Sequence, residues 1–128
     1  VRLLLDTHVF LYWVLGDPRL SPLAEASIKD TGAQVYLSAA SVWEMAIKLS
    51  LGRFRLEGDL LGFVEGELRQ NGFQALPVTY RHASRVATLP PLHRDPFDRI
   101  LVAQALEEDL ILVSGDREIA RYPVDLLW

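Results

Sequence analysis

The sequence predicts an α/β fold of three layers, α/β/α, with a mostly parallel central sheet between two layers of helices. Three observations predict it. The runs "RLLLD" near the start and "DLILVS" near the end are continuously apolar, as strands covered on both faces are. Segments of helical pattern alternate with these and other short strand-like runs, which implies right-handed βαβ crossovers. No internal repeat, low-complexity tract or long linker breaks the alternation, so residues 1–128 read as one domain.

Taken in order, residues 2–6 form a buried strand that stops at Asp6. A helix follows from about Thr7 to Gly16. Turn residues at Asp17 and Pro18 lead to Ser21 and Pro22, a cap and a first helical residue, opening a helix that ends before Gly32. "QVYLS" is the next strand, ending at Ser38. In "SVWEMAIKLSLG", Ser41 is a good N-cap, Glu44 lies at capping-box spacing from it, and Gly52 terminates the helix. "GDLLGFVEGELRQNG" reads as a helix despite two internal glycines. "FQALPVT" is a short strand whose Pro77 points to a sheet edge. "YRHASRVATLPP" supplies a helix stopped by Pro90, and Asp95 caps a helix whose first residue is Pro96. The strand 109–114 closes at Gly115 and Asp116, and "VDLL" is a last strand.

Half of the residues are hydrophobic, enough for a real core. There is no cysteine, which excludes disulfides, iron–sulfur clusters and thiolate zinc sites and fits a reducing, cytoplasmic location. No signal peptide is visible, and no apolar stretch approaches the roughly 18 to 20 residues of a membrane span, so no membrane partner is expected. Thirteen Lys and Arg against seventeen Asp and Glu give a net charge of −4, which argues against sequence-independent wrapping of nucleic acid. "HRDPFDR", "YRHASR" and "KLSLGRFR" are nevertheless locally basic, leaving phosphate contact open on limited patches.

The acids carry the chemistry. Stepping about 100° per residue from Phe97 puts Asp98 at roughly 100°, among Leu101 at roughly 40°, Ala105 at roughly 80° and Val102 at roughly 140°. A carboxylate on that inward arc needs hydrogen bonds, a cation or a metal. In a parallel α/β sheet the strand C-termini and the following helix N-termini share one edge. Asp6, Glu44, Asp98 and Asp116 all fall there. At an effective dielectric near 20, a pair of such charges about 4 Å apart costs about 4 kcal/mol, so a positive charge belongs between them. Oxygen ligands without cysteine or a helical His pair suit Mg²⁺ or Mn²⁺, and a carboxylate-held ion of this kind suits phosphodiester hydrolysis.

"LLLDTHVFLYW", "YLSAASVWEMAIKLSLGRF", "HRDPFDRILVAQA" and "LVSGDREI" resemble, in order and spacing, the successive motifs of PIN-domain ribonucleases of the VapC toxin type. The resemblance runs from residue 3 to about 119. It implies a metal-dependent endoribonuclease acting on RNA, usually dimeric and neutralised by a small antitoxin. Carried residue by residue, Asp6 matches the family's first-strand aspartate, Glu44 the glutamate of "WE", Asp98 the aspartate before the aliphatic run, and Asp116 the last aspartate. Asp95 matches the Asp-Pro that precedes the catalytic aspartate and is kept here as a helix cap. Thr7, Ser38, Ser41 and Ser114 are candidates to hydrogen-bond the carboxylates, against plain turn and cap duty. Arg94 and Arg99 flank the site and either hold substrate phosphates or pair with acids. His8 reads as a hydrogen-bonded structural histidine, and Trp13 and Trp43 as core or dimer-contact aromatics.

Two other classes are weighed. A receiver-type signalling domain also has a magnesium-binding acid pocket, but it carries paired acids after the first strand and a lysine after the last core strand. Here those places hold Thr7-His8 and Gly115-Asp116. A non-catalytic interaction module retaining the fold is the other, and the complete set of acids argues against it.

Overall fold

A computed structural model describes residues 1–128. The chain runs β1 (Arg2–Leu5), α1 (Thr7–Leu15), α2 (Pro22–Lys29), β2 (Gln34–Ser38), α3 (Ala39–Ser50), α4 (Leu60–Asn71), β3 (Gln74–Leu76), α5 (Tyr80–Arg85), α6 (Pro96–Glu108), β4 (Ile111–Val113) and β5 (Leu126–Leu127). Single 3₁₀ turns occupy Val86–Thr88 and Ile119–Arg121. The strands order β3-β2-β1-β4-β5, and every pairing is parallel.

β1 is the central strand, pairing Leu3 with Val35 on one side and with Ile111 on the other. That position explains its unbroken apolar run, because both of its faces are covered. Leu3 and Leu5 enter a core with Val9 and Phe10 of α1, Ala24 and Ile28 of α2, Met45 of α3 and Val64 of α4. Leu4 points the other way, into a core with Leu101, Val102 and Ala105 of α6 and Ile119. All three leucines are fully buried, each contributing about 1.5–3 kcal/mol of hydrophobic stabilisation. The sheet therefore has a helix layer on each face, as the sequence predicts. No helix is long and apolar enough to cross a membrane.

Several element ends differ from the sequence reading. α3 begins at Ala39 with no intervening loop: Ser38, the last residue of β2, is the N-cap, its hydroxyl accepting from the Ala40 N–H at 3.0 Å. Ser41 is thus inside the first turn and caps nothing. Glu44 falls in the second turn, so the expected Ser41–Glu44 box does not form. A capping box is found at Thr79 and His82 instead. "DLILVS" supplies only three strand residues, because Asp109 ends α6 in the left-handed region at φ 55° before the strand starts. "FQALPVT" is shortened at both ends, with Phe73 buried in the core and the Pro77 carbonyl accepting from Gln104. β3 is an edge strand, as Pro77 suggests. The predicted helix after it is split, α5 giving way to the 86–88 turn before Pro90.

Candidate functional site

Two central strands end side by side, and the site is built on those ends. The Asp6 N–H donates to the Val113 carbonyl at 3.0 Å, extending the β1–β4 pairing by one residue, after which Asp6 caps α1 by accepting from the His8 N–H at 3.3 Å. Ser114, fully buried just past β4, donates its hydroxyl to Asp6 Oδ2 at 2.6 Å and accepts from the Asp116 N–H at 3.1 Å. One serine thereby fixes both strand-end aspartates. Burial would raise the Asp6 pKa, but the His8 imidazole and the Ser114 hydroxyl outweigh it and hold the carboxyl below the ordinary value.

α6 brings the third carboxylate. Asp95 caps the helix, accepting from the N–H groups of Phe97 at 2.8 Å and Asp98 at 3.4 Å, with Pro96 as first residue. Asp98 is mostly buried, its side chain 14% exposed. Its pKa is pushed up to about 7, first by burial and then by the charges of Asp6, Asp95 and Asp116. His93 pulls the other way, with Nε2 at 2.9 Å from Asp98 Oδ2 and 3.4 Å from Asp116 Oδ2. The geometry of that contact is good, yet burial and three carboxylates prevail over one imidazole.

His93 was not a site candidate in the sequence. Its ring is oriented by the Asp95 N–H, which donates to Nδ1 at 3.3 Å, and its own N–H donates to the Tyr122 hydroxyl at 3.0 Å. With Nδ1 turned to the Asp95 N–H, Nε2 is the ring nitrogen that faces the two carboxylates. The only signal in the sequence was its place at the head of "HRDPFDR", two residues before a helix cap. The ligand atoms of His93, Asp98 and Asp116 lie within 4.8 Å of one another. Two carboxylates beside one imidazole suit a divalent cation, with Asp98 and Asp116 as the oxygen ligands a hard ion takes; Asp6 lies outside this compact group.

The remaining candidates divide. Glu44 is buried on α3, outside that compact group, and pairs with Lys48 Nζ at 3.0 Å; its charge is felt by His8. Thr7 donates to Ser41 at 2.8 Å, pinning α1 to α3, and neither hydroxyl reaches a carboxylate. Ser38 acts as the cap described above. Arg99 donates to the Val86 carbonyl at 3.1 Å, tying α6 to the 3₁₀ turn, whereas the exposed Arg94 side chain has no partner. His8 departs from the expected structural role: its side chain is 58% exposed and stands 3.8 Å from Asp6, which raises the His8 pKa despite partial burial. A cleft of about 290 Å³ is lined by Asp6, His8, Tyr12, Arg19, Asp116 and Trp128. Trp13 is half-buried against Phe73 and donates to Asn71, while Trp43 is 63% exposed, edge-on to Phe97.

The family model described as PIN domain matches residues 3–125. A relative named Ribonuclease VapC22, from Mycobacterium tuberculosis, is 29% identical over 117 residues, spanning 91% of this chain and 88% of its own. VapBC2 from Rickettsia felis, solved bound to a promoter DNA fragment, is similar with a TM-score of 0.74 at 15% identity, covering 100% of this chain and 99% of that one. DNA-bound VapBC from Salmonella typhimurium gives 0.69 at 19%, covering 99% and 97%. FitAcB from Neisseria gonorrhoeae gives 0.64 at 22%, covering 98% and 96%. These solved structures share the fold.

Proposed function

The chain belongs to the PIN-domain family, and from that premise we propose that it is a divalent-metal-dependent endoribonuclease, the toxin of a toxin–antitoxin pair. The close approach of Asp98 on α6 to Asp116 past β4, with Asp6 at the end of β1 joined to Asp116 through Ser114, carries the reading. Asp6, Asp98 and Asp116, with Glu44 from α3, would hold Mg²⁺ or Mn²⁺, which when bound supplies Lewis-acid stabilisation and an activated water. Ser114 fixes the positions of Asp6 and Asp116 through its two hydrogen bonds. His93 aims Asp98 and Asp116 through Nε2. Arg94, adjacent to His93 and unpaired, would take a phosphate of the scissile strand.

The name of the Mycobacterium tuberculosis relative supports the ribonuclease reading, and a toxin–antitoxin complex from Klebsiella pneumoniae, similar with a TM-score of 0.65 at 16% identity, supports an antitoxin partner. A homodimer is proposed with them. The match across residues 3–125 gives no support to a receiver-type domain.

The test is cleavage of RNA by the purified protein in Mg²⁺ or Mn²⁺, with EDTA as control. Activity is expected only with the cation, and Asp6→Asn is expected to remove most of it. Near wild-type cleavage by that variant, with a clean contamination control, contradicts the proposal.

A further inference from the structure

Beyond the Lys48–Glu44 pair, the basic stretch "KLSLGRFR" has no part in the acid site. Leu51 caps the C-terminal end of α3, Gly52 takes φ 71°, and the Arg53 N–H returns to the Lys48 carbonyl at 2.8 Å, folding Arg53 back beside the helix end. There Lys48 and Arg53 meet Arg94, which precedes α6. The three line one groove of about 420 Å³ with Glu44, Leu51 and Phe97.

Two features of this groove point to a ligand. First, Arg53 and Arg94 are exposed and make no side-chain hydrogen bond or ion pair. Arg55, Arg69, Arg81 and Arg117 are likewise exposed and without a side-chain partner, but Arg53 and Arg94 come together in one groove; Arg19, Arg85 and Arg121 are held by carboxylates, and Arg2 and Arg99 by carbonyls. Arg53 and Arg94 come from distant parts of the sequence to one groove whose carboxylates are already engaged, Glu44 by Lys48 and Asp95 by the α6 cap, so both guanidiniums are open to an anion. Second, the groove leads to the acids. Asp95, the α6 cap, also lines it, and Arg94 adjoins His93, whose Nε2 lies 2.9 Å from Asp98. Ile47, Leu51 and Phe97 give it an apolar floor, the combination of cations and apolar surface that suits single-stranded nucleic acid.

We propose that this groove carries the backbone of single-stranded RNA to the acid site, with Arg53 and Arg94 taking phosphates and Lys48 dividing its charge between Glu44 and the strand. It rests on the ribonuclease reading and adds to it the path of the substrate. Arg53 and Arg94 are binding residues that act on substrate affinity.

The test compares wild type, the double variant R53Q/R94Q, the double variant R53K/R94K and the control Arg69→Gln, an exposed, unpaired arginine on α4. A fluorescent short single-stranded RNA is bound in EDTA at several salt concentrations and cleaved under single-turnover conditions in Mn²⁺. For R53Q/R94Q the log–log salt slope is expected to fall by about 1.4, from roughly 0.7 per phosphate contact on a single strand. Half-saturation is expected to rise about tenfold with a maximal rate changed less than about twofold, and R53K/R94K is expected to keep the wild-type slope. An unchanged slope, an equal loss in Arg69→Gln, or a fall in maximal rate alone overturns the groove. Wild-type protein that binds with the expected slope dependence but does not cleave leaves the groove standing and contradicts the ribonuclease reading. Protein that does neither overturns both.

Discussion

Asp98 concentrates the conflict between burial and charge that the site is built on. Its helical position put it on an inward arc, which was legible from the spacing of Leu101, Val102 and Ala105. Its surroundings were not legible, because Asp6 and Asp116 arrive from strands about a hundred and about twenty residues away and His93 carried no motif. With a folded pKa of about 7 against an ordinary 3.8, the carboxyl stays protonated in the folded chain where it ionises in the unfolded one. Its contribution to stability is therefore fully present below about pH 4 and lost as pH rises through about 7. Asp6, held below the ordinary value, acts in the opposite sense, contributing above that value and losing its contribution as pH falls. Melting curves of the metal-free protein from about pH 5 to about pH 8, compared with Asp98→Asn, isolate the Asp98 effect. The variant is expected to gain on wild type as pH rises from about 5 to about 7 and to level off above it. A constant difference across that range contradicts the assignment.

At the scale of the element, the central strand and the Asp95-Pro96 helix start were readable because each depends on local chemistry: an apolar run, and a cap followed by proline. The start of α3 was misplaced for a tertiary reason. Ser38 ends β2 and caps α3 in one residue, so a strand-to-helix junction without a loop left Ser41 as the more conspicuous cap. Ser41 instead receives the Thr7 hydroxyl and joins α1 to α3. Ser38→Ala is expected to cost about 1 kcal/mol through the lost cap, measured by urea unfolding, with Ser38→Asn retaining most of the stability. Stability unchanged in Ser38→Ala contradicts the cap. The same parallel topology that hid this junction made the acids legible as a group, since it sends every strand's C-terminal end to one edge.

For the whole molecule, two surfaces matter. Trp43, exposed beside Phe97, lies in an apolar groove with Val78, Val86 and Ile100, and an isologous contact between two copies would cover such a face. Sedimentation at micromolar concentration is expected to report a dimer, and a monomer contradicts that proposal. The other surface is the acid edge. A chain with net charge −4 gathers carboxylates at the ends of its two central strands, and the folded state carries repulsion that the unfolded chain relieves.

The central claim is that this edge is shaped for a divalent cation, and thermal melts in EDTA and in magnesium test it most directly. At a concentration about a hundred times the dissociation constant, the cation is expected to stabilise the wild type by about 2.7 kcal/mol, several degrees in melting temperature. At about pH 8, Asp98→Asn is expected to melt higher than wild type in EDTA, having lost a repelling charge, and to gain less from magnesium, having lost a ligand. Asp95→Asn, whose asparagine still caps α6, is expected to keep the magnesium gain. A variant Asp98→Asn that melts lower than wild type in EDTA, with no magnesium response in either protein, would contradict the claim.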